Sequence, residues 1–494
     1  MRRALGALAL LGLAGCAGSG GGGDKSVLPA SLTPSFLAPK GTNATLLSGV
    51  KPGVYEASTL AIGEEKDIAQ HRGDALGYVR SAALEQYLND TRARLIASTG
   101  KTQVPGRVMI LAESGFVGFS TADGNVYLAM GLLESLESAD EVAAILAHET
   151  SHVLLKHHTS DVISDMQKKG QALYEIGVGA KTQLSGRTTV AKGDVKTLQQ
   201  VQLATDATDK LVLPAWTRTQ EREADLLGVD LLVETGQSPP AMVSLLEKLQ
   251  AWEKATAETE QAFWDRMTQA SQRNVNEAVG VAYEKLVSTV SVNHPKTEER
   301  ISDTAQYYER HYGSRQLAEP KVAPWKTLRA RPEVAAVMKS YRQAFEAKKL
   351  LDQGKAHEAN AMARAALATR PTTDAYPNWV LARTALALGH QREGLEALRR
   401  AVNSSEPVPN VYEELILANE RAGHLPVALS WTDQASKAFA GAPRWTPHKI
   451  RLLRKTGRVA EANTLALDCS LNAPDWKRLC QEANQTPPGR ATTR

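Results

Sequence analysis

The stretch Leu146-Ala147-His148-Glu149-Thr150-Ser151-His152, taken with Glu221-Arg222-Glu223-Ala224-Asp225, decides how this chain is to be read. On a helix, residues four apart share a face, so His148 and His152 can reach one metal ion while Glu149, one step round, addresses a water beside it. Ser138 and Glu141 form an S-x-x-E capping box, and Val142, Ile145, Leu146 and Val153 follow as an apolar stripe. The histidines are therefore expected in mid-helix, not in a loop.

A catalytic zinc takes three protein ligands and keeps a further position open. Two residues compete for the third place. His158 stands six residues after His152, a separation that works only where a glycine breaks the helix and folds the third imidazole back, and Leu155 occupies that position. An unbroken helix carries His158 to another face. This leaves Glu221, on a helix expected to begin near Pro214, as the preferred ligand. His157 and His158 then read as a polar helix end, where imidazolium charge complements the C-terminal dipole. Asp225 lies one turn beyond Glu221, placed to accept the outer N–H of a ligand imidazole; the plainer reading is a solvated carboxylate. The stretch Val126 to Ala129 is expected to be an edge strand that pairs with extended polypeptide, which favours unfolded clients.

The motifs extend further, through Gly124-Asn125-Val126-Tyr127-Leu128, Gly131-Leu132-Leu133, Asp140-Glu141 and Arg218-x-x-Glu221-x-Glu223-Ala224-Asp225. Over roughly residues 55 to 312 the chain resembles the gluzincins of metallopeptidase family forty-eight, which include HtpX, the Ste-type prenyl-protein proteases and BepA-like members. The resemblance implies one zinc ion per chain on His148, His152 and Glu221, with Glu149 as general base and acid and Asp225 as an acidic residue behind the ligands. Zinc lowers the pKa of a bound water from about 16 to about 7 and polarises a peptide carbonyl. Glu149 would take the proton of that water and hand it to the leaving amine.

The family also carries a His-Pro followed by Arg-Ile, matched here by His294-Pro295 and Arg300-Ile301. The resemblance implies that His294 caps the zinc and holds the enzyme latent, and that Arg300 lies in the active site and steadies the reacting carbonyl. Read locally, His294-Pro295 is the turn before a helix starting near Thr297. One run departs from the family. Where relatives show Asn-Ala-Phe, this chain has Val117-Gly118-Phe119, and the asparagine's contribution to the cleft is missing.

Met1-Arg2-Arg3, the apolar run Ala4 to Leu13 and Leu13-Ala14-Gly15-Cys16 resemble a bacterial lipoprotein signal, which leaves Cys16 as the lipidated N-terminus. The apolar run is too short to span a bilayer, so the mature chain is expected to be anchored to the membrane rather than embedded in it. Ala17, not aspartate, follows Cys16; by the sorting rule of enteric bacteria this implies the periplasmic leaflet of the outer membrane. Gly18 to Gly23 and the Pro-, Ser- and Thr-containing stretch to Gly53 read as a tether. A net charge of +4 over 494 residues, part of it on Arg2 and Arg3, gives no reason to expect nucleic-acid binding.

Beyond a Pro-containing linker, Gly354, Gly389, Gly423 and Gly457 recur every 34 or 35 residues. Small residues follow each in register, at Ala359, Gly394, Ala428 and Ala462 and again at Ala366, Ala401, Ala435 and Cys469. That register is tetratricopeptide-like, although Leu350, Ala385 and Asn419 stand where helix A usually carries tyrosine. The glycine ends helix A and the small residues let helices A and B approach, so successive pairs stack into a solenoid whose concave face suits partner proteins. Cys469 and Cys480 suit a disulfide in an oxidising periplasm, while Cys469 also fits as a small packed residue of the repeat.

The expected architecture is mainly α with a small β-sheet. It comprises a signal peptide over 1–15, a lipidated Cys16 and tether over 16–53, a zincin-type α+β metalloprotease domain over 54–312, a linker over 313–332, tetratricopeptide-like repeats over 333–483 and a tail over 484–494. The expected activity is zinc-dependent endopeptidase action on unfolded or misassembled envelope proteins, with the repeats selecting clients or meeting the outer-membrane assembly machinery. The alternative is a chaperone or scaffold acting through the solenoid with a latent zinc site. Glu149 speaks against it, since a structural zinc has no use for that carboxylate.

Overall fold

The computed structural model describes residues 44–74, 77–158, 216, 218–256, 262, 265–266, 297–315, 319–370, 372–406, 408–439, 443–473 and 476–487. The expectations for Cys16 and the signal segment, for Pro214 and for His294-Pro295 lie outside the described residues. Among the described residues no helix is long and apolar enough to cross a membrane.

The amino-terminal half is built around helix α4 (Ala139–Leu154), every residue of which is buried. Its start follows the sequence: the Ser138 hydroxyl accepts the Glu141 N–H at 3.1 Å. The Glu141 carboxylate turns back a residue further than a capping box requires, accepting the Glu137 N–H at 2.6 Å. Preceding α4 are β1 (Gly53–Val54), α1 (Glu64–Asp74), α2 (Ala82–Ala97), β2 (Lys101–Thr102), β3 (Val108–Leu111), β4 (Gly118–Ser120), β5 (Val126–Ala129) and α3 (Met130–Ser135). β1 and β2 pair as a short parallel ribbon.

The larger sheet has the order β3-β5-β4, with β5 parallel to β3 and antiparallel to β4. Val126–Ala129 is thus the central strand, not the expected edge. Its four residues are all buried, and the run Val-Tyr-Leu-Ala shows no polar alternation, which is how a strand covered on both faces reads. The far side of β3 is paired as well: Val79 N–H donates to Ile110 O at 2.8 Å and Ala112 N–H to Gly77 O at 2.9 Å. Among the described residues, the strand left at the edge is β4.

Helices α5 (Arg218–Glu234), α6 (Pro240–Thr256) and α7 (Thr297–Tyr312) complete this half. α7 starts at Thr297, as the sequence indicates. Two stretches expected to be connectors are folded in part. Leu47 N–H donates to the buried Asp230 at 2.8 Å, docking the end of the expected tether on α5. In the expected linker, α8 (Val322–Ala330) buries Trp325 completely, and the indole N–H donates to Leu136 O at 2.9 Å. A large apolar side chain in a Pro-containing stretch is the signal that composition alone passed over.

The remaining helices form pairs: α9 (Pro332–Asp352) with α10 (Ala356–Thr369), α11 (Ala375–Ala387) with α12 (Gln391–Val402), α13 (Pro409–Arg421) with α14 (Leu425–Ala438), and α15 (Thr446–Lys455) with α16 (Val459–Asn472). α17 (Lys477–Asn484) closes the array. Gly354, Gly389, Gly423 and Gly457 end the first helix of each pair with φ of 77° or 78°, the left-handed conformation that glycine adopts without a Cβ clash. Each turn has the paired 5→2 and 6→1 hydrogen bonds of a Schellman motif, as in Gly389 N–H to Leu386 O and His390 N–H to Ala385 O. The small residues are buried at the contacts; a Cβ on Gly394 would come within 2.6 Å of Leu386 Cγ. One apolar core runs from Ile68 to Leu415, so the first two helix pairs and part of α13 share it with the sheet and α4, and a second core holds the rest of α13 and the later helices. Cys469 and Cys480 are joined as a disulfide that ties α16 to α17, and Cys469 also fills the buried small-residue position.

Candidate metal centre

α4 and α5 pack against each other and bring two motifs into one buried pocket. His148 Nε2 and His152 Nε2 face each other at 3.2 Å. Glu221 Oε2 lies 3.7 Å from His148 Nε2, and Glu221 Oε1 lies 3.8 Å from His152 Nε2. Nitrogen and oxygen ligands about 2.0–2.1 Å from a tetrahedral zinc stand roughly 3.3 Å from one another, so these separations need little adjustment to grip one ion. The outer nitrogens are engaged elsewhere: His148 Nδ1 lies 2.9 Å from Asp225 Oδ1, and His152 Nδ1 lies 2.9 Å from His157 Nδ1. Both Nε2 atoms therefore remain to converge with the Glu221 carboxylate, a donor set that fits zinc. Among the described residues, His148, His152 and Glu221 are the one group of such side chains close enough to share a metal.

Glu149 sits beside this group, 3% exposed, and its Oε2 has no hydrogen-bond partner among the described residues. Burial pushes its carboxyl up to about 7, with the His148 charge opposing and Glu221 reinforcing the shift. A cation in the pocket would draw that value down again. The edge strand β4 passes close by. A Cβ on Gly118 would lie 3.1 Å from Glu149 Oε1, so the run that departs from the family pattern borders the Glu149 carboxylate.

Arg300, on α7, lies at the site but is fully committed to carboxylates. Its Nε and Nη2 each donate to Asp225 at 2.8 Å, and Nη1 meets Glu221 Oε2 at 3.0 Å. The expectation that Arg300 steadies the reacting carbonyl is not what this geometry supports, because all three nitrogens are occupied and the side chain is buried. Burial alone would raise the Asp225 carboxyl; the Arg300 charge and hydrogen bonds outweigh it and hold the carboxyl below its ordinary range. Asp225 is thus bound on two sides, and the reading of a solvated carboxylate does not hold.

The other correction concerns His157. It is not a solvated helix end: it is 5% exposed, with its ring set edge-on to His152 and its Nε2 3.1 Å from Glu223 Oε2. α4 stops at Leu154, and Lys156 takes a φ of 55°. Lys156 N–H then donates to Val153 O and His157 N–H to His152 O, the Schellman turn again, here without a glycine. That turn folds His157 back over the ligand helix. A lysine in the left-handed position gives no signal of it in the sequence. His158 packs edge-on to Trp216, and burial lowers its imidazole to about 4. It stands outside the ligand group, in keeping with the preference for Glu221. Trp216 in turn stacks on His152 with ring centres 4.2 Å apart.

Residues 82–307 match the family model described as Peptidase family M48. The chain is similar to the protein named beta-barrel assembly-enhancing protease of Escherichia coli K12, 28% identical over 202 residues, which are 40% of this chain and 40% of that protein. It is also similar to the protein named metalloprotease LoiP of the same organism, 31% identical over 161 residues, 30% of this chain and 58% of LoiP. A mitochondrial metalloendopeptidase OMA1 of Schizosaccharomyces pombe is 24% identical over 167 residues, 34% of this chain and 44% of OMA1. The similarity to the assembly-enhancing proteases thus spans two fifths of their length. The match to peptidase family M48 covers residues 82–307, the segment that holds α4, α5 and most of α7.

Proposed function

We propose that this chain is a zinc-dependent endopeptidase of the bacterial periplasm, acting on unfolded or misassembled envelope proteins. The observation that carries the reading is the convergence of two imidazoles and a carboxylate beside a second, buried carboxylate with an unpartnered oxygen. The names of the relatives, an assembly-enhancing protease and a metalloprotease, support the same reaction class.

His148, His152 and Glu221 would hold the zinc, which supplies a Lewis acid that acidifies water and polarises a peptide carbonyl. Glu149 is the general base: buried beside the ligand group with an unpartnered Oε2, it is placed to take a proton and to return it to the leaving amine. Asp225 Oδ1 lies 2.9 Å from His148 Nδ1, and its charge there would keep the imidazole proton on Nδ1 and leave Nε2 as the ligand atom. Arg300 fixes Asp225 and Glu221 relative to each other and is a positioning residue. The open edge of β4 runs past Glu149, and an extended segment pairing there brings its carbonyl to the site, a mode that requires unfolded polypeptide.

The Gly-ended helix pairs are proposed as tetratricopeptide-like repeats that select clients or meet the assembly machinery. Cys16 is proposed as the lipid anchor and His294 as a cap on the zinc. Purified protein is expected to cleave casein. Glu149→Gln should abolish cleavage while zinc stays near one per chain, and unchanged cleavage would refute the assignment. His294→Ala should raise cleavage; unaltered activity with intact zinc would count against latency.

A further inference from the structure

We propose that His157 and Glu223 form an orienting relay for His152, the counterpart of what Asp225 does directly for His148. The inference rests on His148, His152 and Glu221 being the zinc ligands. His152 can offer Nε2 to a metal only if its proton sits on Nδ1, which lies 2.9 Å from His157 Nδ1. His157 Nδ1 must then accept, which places the His157 proton on Nε2, where Glu223 Oε2 receives it at 3.1 Å. Every donor in the chain His152, His157, Glu223 meets an acceptor, and one tautomer of each ring satisfies all of them.

The placement is fixed from both ends. The turn through Lys156 holds the His157 backbone by its N–H to His152 O, and Gln220 of α5 donates from its side chain to His157 O at 3.1 Å. Glu223 is two residues from Glu221, about 200° round the helix, so it stands off the stripe shared by Glu221 and Asp225. Its carboxylate is reached because the chain beyond α4 comes back to meet it. α5 therefore serves both imidazoles: Asp225 on His148 at first hand, and Glu223 on His152 through an intervening ring. Outer partners of ligand imidazoles fix ring orientation and raise basicity, and their loss commonly weakens metal binding by roughly 10–100-fold.

The test is zinc affinity of the full-length protein by chelator competition, with thermal unfolding of the metal-free form as the folding control. His157→Leu is expected to weaken zinc roughly 10–100-fold, and His157→Asn, whose amide can stand near the former Nδ1, to recover much of that loss. Glu223→Leu should weaken binding by less, and should add nothing on top of His157→Leu. Binding by His157→Leu within about twofold of wild type, or full additivity of the two changes, would overturn the relay. If His157→Leu does not fold, Glu223→Leu and His157→Asn decide: wild-type affinity in Glu223→Leu overturns it. Wild-type protein that binds no zinc would instead sink the ligand assignment itself.

Discussion

The helix that carries the two histidines ends in the same turn as the first helix of each pair in the array, yet the two regions reach that turn with different residues. In the array, glycine occupies the left-handed position at 354, 389, 423 and 457, and the turn joins one helix to the next. At the metal centre Lys156 occupies it, and the turn aims His157 at His152. A residue with a Cβ in that conformation costs on the order of 1–2 kcal/mol. The first two pairs of the array meet at small apolar contacts, and buried charges such as Glu413, paired with Arg444, come in further along, whereas the candidate metal centre is held throughout by buried charges, each fixed by its neighbour. Substitutions should therefore separate the two regions by both kind and size of effect.

The largest separation is chemical. Glu149→Gln should lower casein cleavage by roughly 10²–10⁴-fold with little change in stability. Deleting the array past α12 is expected to impair selection of native clients more than casein cleavage, and equal losses would dissolve the distinction. The next separation is electrostatic. Arg300→Leu leaves Asp225 and Glu221 buried without their partner and should cost about 3–5 kcal/mol in urea unfolding. Arg364→Leu in the array removes an exposed pair with Glu393 and should cost at most about 1 kcal/mol. Similar costs for the two would break the contrast.

The array answers to closure and packing. Replacing Cys469 and Cys480 by serine should lower stability by about 2–4 kcal/mol while leaving casein cleavage near wild type. Gly394→Ala, which drives a methyl into Leu386, should cost about 1–3 kcal/mol despite the better helix propensity of alanine. The smallest effects form a mirror pair. Lys156→Gly should stabilise by about 1 kcal/mol and keep zinc, while Gly389→Ala, with open space around it but φ of 77°, should destabilise by about the same. Changes of equal sign would show that the two turns are not the same device.

How much of this was legible follows the same division. The periodic glycines and small residues announced the helix pairs because a repeated contact repeats in the sequence. His148, His152, Glu221 and Asp225 were legible because helical spacing puts them on facing stripes. Val126–Ala129 is a central strand and not the expected edge, and its unbroken apolar run is the sequence mark of burial on both faces. The burial of Trp325 has no mark in the local composition, because the prolines around it carry that of a linker. The partnership of His157 with Glu223 was hidden, since it depends on a left-handed lysine after the helix and on a residue off the helical stripe. Arg300 was placed at the site by resemblance alone, and its engagement with Asp225 and Glu221 required the geometry.

The central claim is that one zinc ion sits on His148, His152 and Glu221 with Glu149 beside it. Anomalous diffraction at the zinc edge from crystals of the Glu149→Gln protein tests it most directly. The account expects a single peak about 2.0–2.2 Å from both Nε2 atoms and a Glu221 carboxylate oxygen. A peak whose ligands exclude Glu221, or no peak in protein that contains zinc at that site's expected stoichiometry, would contradict it.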